Sequence, residues 1–167
     1  MRSVVLIPTY NEIDSLPSAL DRVRSAAVQA HILVIDDNSP DGTGALADAR
    51  AQSDDHIHVL HRTEKNGLGP AYLAGFKWAL ENDFELIIEM DADGSHRAED
   101  LALLIQRAEM ADKPDLVIGS RWISGGATQG WSQKRVLLSR AGNVYINLAL
   151  GLNVRDATAG FRVYRAD

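Results

Sequence analysis

A chain of 167 residues, 46% hydrophobic and 24% charged, is long enough to bury a real core and has the make-up of an ordinary globular domain. The absence of cysteine excludes disulfides, thiolate metal sites and a cysteine nucleophile, and fits a cytoplasmic setting; no apolar run approaches a membrane-spanning helix in length. The net charge of -6 argues against a general nucleic-acid binder, but between Asp115 and Asp156 there is no acidic residue, and Arg121, Lys134, Arg135, Arg140 and Arg155 make that stretch +5 against -11 elsewhere. Such asymmetry marks an anion- or acidic-membrane-facing surface, or a solvated face.

The first apolar run, residues 4–7, reads as a short buried strand that Pro8 ends too early for a signal peptide. Pro8-Thr9-Tyr10-Asn11-Glu12 follows. Tyr10 can stack on a planar ring and Glu12 can accept hydrogen bonds from a base or ribose; the segment also reads simply as strand stop and helix entry. A helix is predicted over 14–29, entered through Asp14 and Ser15, then a strand over 32–35. That strand ends in Asp36-Asp37-Asn38-Ser39-Pro40-Asp41-Gly42-Thr43, where Asp36 or Asp41 suits a turn or cap and Asp37 suits a ligand contact. No glycine-rich dinucleotide fingerprint precedes it. A helix over 41–51 and a strand over 57–60 come next. Asn66-Gly67-Leu68-Gly69 lacks the Gly-Lys-Ser/Thr ending of a phosphate loop and reads as a turn into a helix over 69–81.

The strand over 86–89 delivers Asp91-Ala92-Asp93. On an extended segment, residues i and i+2 point the same way, so two hard oxygen donors can be aimed at one Mg²⁺ or Mn²⁺ whose remaining positions stay open for phosphates. A calcium-loop reading fails, because position six would be His96 and position twelve Ala102. His96 is either near the metal or a helix-start residue. A helix over 98–111 and a strand over 116–118 lead into a Gly-rich, polar loop over 120–133, expected to move when no ligand is bound. In the helix predicted over 133–150, Arg135 and Ser139 lie four apart on one face, and with Arg121 they suit a phosphate. The same helix is unusually apolar, which fits a membrane interface or packing on the sheet. A turn and an alternating strand around 161–164 close the chain. Strand-helix alternation predicts an α/β fold, a Rossmann-like, mostly parallel sheet with helices on both faces and its ligands at the strand C-termini.

Taken in order, these motifs resemble the polyprenyl-phosphate (dolichol-phosphate) mannosyltransferases of glycosyltransferase family 2. The matching text is Pro-Thr-Tyr-Asn-Glu at 8–12, Ile-Asp-Asp-Asn-Ser-Pro-Asp-Gly-Thr at 35–43, Asn-Gly-Leu-Gly at 66–69, Glu-Met-Asp-Ala-Asp-Gly-Ser-His at 89–96, Gly-Ser-Arg at 119–121, Arg-x-x-x-Ser at 135–139 and Asp-Ala-Thr-Ala-Gly-Phe-Arg at 156–162. The Asp-Ala-Asp-Gly-Ser-His version is similar to actinobacterial members. The resemblance implies a GT-A fold and transfer of mannose, with inversion, from GDP-mannose to a polyprenyl monophosphate. Pro8, Tyr10, Glu12, Ile35 and Asp37 would hold the guanosine, Ala92 would line the nucleotide, and Asp91 and Asp93 would hold Mg²⁺ or Mn²⁺. Arg121 would reach the reacting phosphates, making Asp93 and Arg121 the catalytic pair, while Arg135 and Ser139 would take the acceptor phosphate. Many relatives have Gln as a third metal ligand where this chain has Ser95, so Ser95 or water would serve instead. The family's basic diphosphate contact lies further downstream, so residues 1–167 are expected to form a single GT-A catalytic domain lacking the C-terminal end of the family's domain. Association with the cytoplasmic face of a membrane would be peripheral or through an anchored partner protein. Two other readings stay open at this point: a related transferase using UDP-glucose or another nucleotide sugar, and a catalytically incomplete nucleotide-binding module.

Overall fold

The computed structural model describes residues 1–126 and 132–166. The motion expected of the 120–133 loop falls in part on residues 127–131, outside the described residues. The elements are β1 Ser3–Thr9, α1 Leu16–Ala26, β2 His31–Asp36, α2 Thr43–Ser53, β3 Ile57–His61, α3 Leu68–Glu81, β4 Leu86–Glu89, α4 Leu101–Ala108 after a 3₁₀ turn at Ala98–Asp100, β5 Leu116–Ile118, α5 Gln133–Leu150 and β6 Arg162–Arg165. The single helix expected over 98–111 is therefore split and ends three residues early.

The strands form one six-stranded sheet in the order β3-β2-β1-β4-β6-β5. The pairs β1–β2, β2–β3 and β1–β4 are parallel, as the strand-helix alternation predicts. Strand β6 is antiparallel to both β4 and β5, so it alone runs against the others. This has a functional consequence. The start of β6 and the ends of β1, β2, β4 and β5 open on the same edge of the sheet, which gathers Asp36, Asp91 and Arg121 with the 156–161 turn.

Both faces of the sheet are covered, which is why its central strands read as unbroken apolar runs. In β1, Val5 and Ile7 pack towards Leu16, Leu20 and Val23 of α1, while Val4 and Leu6 pack towards Ala71, Tyr72 and Ala79 of α3. Helix α3 approaches closely at Gly75, where a Cβ would lie 2.5 Å from Ile35 Cδ1.

Helix α5 is different. Asn143 is its one buried residue, and Leu137, Leu138, Tyr145 and Leu148 are exposed. Of the two settings its composition suggested, the apolar face is not packed on the sheet. Ser132 starts the helix by accepting the Arg135 N–H at 3.3 Å, and Gly151 ends it in the left-handed region at φ 62°.

At the opposite edge, the start of β2 places His31 beside His56 and His58, with a 3.0 Å contact between His31 Nδ1 and His58 Nε2. Burial, then the neighbouring His56 and His58 and the charges of Arg2 and Arg24, push His31 down from 6.5 to about 4, and burial lowers His58 too. The unfolded chain takes up these protons first as pH falls, so the stabilisation is complete above the ordinary histidine value and is lost between there and about 4. We expect Tm to drop by at least about 3 °C between neutral and mildly acidic buffer. A His31→Asn variant should flatten that slope, and calorimetry across the range checks it.

Candidate active site

The ends of β1 and β2 are built as one unit. Pro8 pairs in register with Ile35 and Thr9 with Asp36. Both chains then turn through asparagines in the left-handed region, Asn11 at φ 59° and Asn38 at φ 58°, a conformation that Asn tolerates better than most residues. Side chains of the second turn cap the first. The Ser39 hydroxyl accepts the Asn11 N–H at 3.1 Å, Thr43 Oγ1 the Glu12 N–H at 3.0 Å, and Asp41 Oδ2 the Ile13 N–H at 3.2 Å. Buried Asp36 accepts the Ser39 hydroxyl at 2.5 Å and its N–H at 3.1 Å, so it holds the turn. Asp37 receives Arg62 at 2.6 Å, and Lys65 Nζ lies 3.9 Å over the Tyr10 ring. Glu12 accepts the Ser15 hydroxyl. The cations Arg62 and Lys65 were not foreseen from the sequence, because their loop carries no phosphate-binding pattern.

Two residues expected to meet the nucleotide have buried side chains. Ile35 has no exposed surface and sits in the core beneath α3, and Ala92, 4% exposed, belongs to the core on the other face. Strand alternation explains Ile35, and Ala92 turns inwards where Asp91 and Asp93 turn out.

A cavity of about 1060 Å³ opens beside β4, and its walls include Asp91, Asp93, Ser95, Arg121, Arg135 and Ser139. The carboxylates expected at a metal and the residues expected at an acceptor phosphate thus line one space. Pro8, Tyr10, Glu12 and Asp37 are not among its walls; they flank the neighbouring strand ends. Asp91 is held from two directions: Tyr72 Oη donates to Oδ1 at 3.2 Å, and the Asp91 N–H donates to His96 Nδ1 at 3.0 Å. His96 is thereby fixed as a neutral ring with Nδ1 unprotonated. It stacks on Phe161 at 5.4 Å and is kept below its ordinary pKa by burial, against the pull of Asp91 and Asp93. Gly160 makes that stacking fit, since a Cβ there would lie 3.2 Å from the imidazole. Asp93 is exposed and accepts the Ser95 N–H at 2.8 Å. Burial opposes its ionisation, but the Ser95 hydrogen bonds outweigh it and hold the carboxyl below the usual range.

Arg121 is the largest difference from expectation. Its Nε and Nη2 fork onto Asp156 at 2.8 and 2.6 Å, Nη2 also donates to Thr158 Oγ1 at 2.7 Å, and the Arg121 N–H reaches Asp156 Oδ2 at 2.9 Å. Asp156 has no exposed surface; burial raises its pKa, and the Arg121 hydrogen bonds more than reverse that. The guanidinium is therefore engaged by protein where the sequence suggested phosphate, and it ties β5 to the turn before β6. Thr158 also lies 3.3 Å from Ser139, which joins this pair to the acceptor side.

Two carboxylates and a hydroxyl are hard-oxygen donors of the kind Mg²⁺ and Mn²⁺ take, and among the described residues no group of three His, Cys, Asp or Glu side chains forms a complete metal cage. That donor set fits an ion completed by substrate phosphate and water, and does not fit a structural metal.

The sequence model of glycosyl transferase family 2 matches residues 4–167. The chain belongs to this family. It is 53% identical over 167 residues to the undecaprenyl-phosphate mannosyltransferase of Micrococcus luteus, with 100% of this chain and 68% of that protein covered. It is 50% identical to the polyprenol monophosphomannose synthase of Mycolicibacterium smegmatis, with 99% and 62% covered. The chain thus spans about two thirds of the length of these relatives. Among solved structures, the mannosyltransferase PcManGT of Pyrobaculum calidifontis, in complex with GDP-Man and Mn²⁺, superposes with a TM-score of 0.66 at 19% identity over 98% of this chain and 44% of that one. Glucosyl-3-phosphoglycerate synthase of Mycobacterium tuberculosis superposes with a TM-score of 0.67 at 18% identity, over 98% and 57%. The family 2 chain shares with them the GT-A fold.

Proposed function

We propose that this chain carries the catalytic site of an inverting transferase that moves mannose from GDP-mannose to a polyprenyl monophosphate, giving polyprenyl-phosphate-mannose. The observation that carries the reading is the shared cavity, with Asp91 and Asp93 on one wall and Arg135 and Ser139 on another. The names of the two relatives support the acceptor class and the sugar. The nucleotide would lie over the β1 and β2 ends, where Pro8, Tyr10, Glu12 and Asp37 are gathered, with Ile35 and Ala92 shaping the floor from beneath.

The acceptor needs no general base. A phosphate monoester has its second pKa near about 6, so its oxygen is already nucleophilic at neutral pH. What the protein supplies is charge and orientation. Arg135 and Ser139 hold the acceptor phosphate in line behind the anomeric carbon. Asp91, Asp93 and Ser95 would hold Mg²⁺ or Mn²⁺, which when bound supplies positive charge to the departing diphosphate. Arg121, fixed by Asp156, places positive charge between the two anions and positions Ser139 through Thr158. The lipid tail would leave along α5, at the cytoplasmic face of a membrane or beside an anchored partner.

Radiolabelled mannose transfer to a short-chain polyprenyl phosphate tests this directly; GDP should inhibit and UDP should not, and the reverse would favour a UDP-sugar donor. Product from a full-length relative but none from this chain would favour the incomplete nucleotide-binding module. Arg135→Ala should raise the KM for acceptor by about tenfold or more while leaving that for GDP-mannose within about twofold. A selective rise in donor KM would reverse the two phosphate sites.

A further inference from the structure

We propose that the pocket between α5 and Trp122 is a second anion site, taking the headgroup phosphate of an anionic phospholipid from the bilayer on which α5 lies. It rests on the lipid-acceptor reading only for its membrane setting. Helical spacing sorts α5 into stripes. Arg135, Leu138, Ser139 and Gly142 line the large cavity. Arg140, Asn143, Val144 and Asn147, again three and four apart, line a separate cavity of about 480 Å³ whose other walls are Trp122 and residues 153–155. Between the two stripes, Leu137, Tyr145 and Leu148 face solvent at 70%, 72% and 80% exposure. A helix lying on that apolar stripe would carry one cavity on each flank.

The second cavity is cationic, and hydrogen bonds tie one of its walls. Arg140 and Arg155 are exposed and have no carboxylate partner among the described residues, whereas Arg121 is forked onto Asp156. The Arg140 guanidinium sits 4.9 Å over the Trp122 ring. The Trp122 ring forms part of the wall, and its buried indole N–H has no hydrogen-bond partner among the described residues. Asn147 holds the far wall, donating to the Val154 carbonyl at 2.8 Å and accepting the Val154 N–H at 3.2 Å. Asn143 is spent on Asp156 and Ala157, so the two guanidinium groups are the ones left for a ligand. Val144 lines the pocket and is itself 59% exposed, which makes the cavity continuous with the apolar stripe. That continuity, in a stretch without any acidic side chain, favours a lipid headgroup over a soluble phosphate or a phosphorylated protein.

The test is sedimentation of the chain with phosphatidylcholine vesicles, with and without phosphatidylglycerol, at physiological salt. Arg140→Gln/Arg155→Gln should weaken binding to the anionic vesicles by about a hundredfold, where Lys134→Gln, a charge removed elsewhere on α5, costs about fivefold. Millimolar glycerol 3-phosphate should compete with wild-type binding and not with the residual binding of the double variant. A loss no larger than two unlocalised charges give, absence of competition, or equal binding to neutral vesicles would overturn the site. Arg155→Gln alone, off the Trp122 ring, serves if circular dichroism shows the double variant unfolded. Transfer to the soluble acceptor, measured alongside, should stay within about twofold. If wild type shows no transfer while the vesicle difference persists, the proposed reaction fails and the headgroup site stands.

Discussion

Asp93→Ala is expected to lower mannose transfer by about a thousandfold or more while moving Tm by no more than about 2 °C. The two halves of that expectation come from one placement. Asp93 is exposed on a cavity wall and its hydrogen bond is local, to Ser95, so its loss opens no core void and orphans no buried charge. Its carboxylate is nonetheless one of the two that would hold the divalent ion, so the diphosphate would leave without its counter-charge. Asp93→Asn, which keeps the shape and the acceptor for Ser95, should recover the fold fully and the rate hardly at all. Near-normal transfer by Asp93→Ala would reject the metal assignment.

Asp156→Ala is expected to do the reverse, acting first on stability, by about 3–5 kcal/mol and roughly 10 °C in Tm. Asp156 has no exposed surface, and three donors from Arg121 converge on it. Removing it strands a largely buried guanidinium and frees the Asn143 contact that ties α5 to the same turn. Transfer should fall as well, because Thr158 and Ser139 lose their register. Arg121→Ala should be of similar severity, since it leaves the carboxylate buried and unpaired. If Asp156→Ala melted as wild type and only lost activity, Arg121 would be a phosphate ligand first and a structural residue second. Thermal melts beside initial rates separate the two.

Much of this was legible in the sequence because the signals were local. The runs at 4–7, 32–35 and 86–88 are apolar on both faces, as strands buried between two layers of helix must be, and each hands a polar motif to the same edge of the sheet. Arg135 and Ser139 share a stripe of α5 by spacing alone. What the sequence did not disclose depends on distant partners. Arg162-Val163-Tyr164-Arg165 alternates as a strand does, but alternation carries no direction, so its reversal between β4 and β5 was invisible. Arg121 and Asp156 are thirty-five residues apart, and a lone Arg at a strand end reads as a phosphate ligand until the fold supplies its carboxylate. The exposed leucines of α5 look the same in a sequence whether they face a sheet or a membrane. The Tyr72 hydroxyl on Asp91 depends on how α3 docks against β4.

The most direct measurement is a crystal structure of the chain grown with GDP-mannose and Mn²⁺. The cation is expected at the carboxylates of Asp91 and Asp93, beside the diphosphate and inside the cavity that Arg135 and Ser139 also line, with the guanine over the β1 and β2 ends. Diphosphate bound elsewhere, with those two carboxylates turned away from it, would contradict the account at its root.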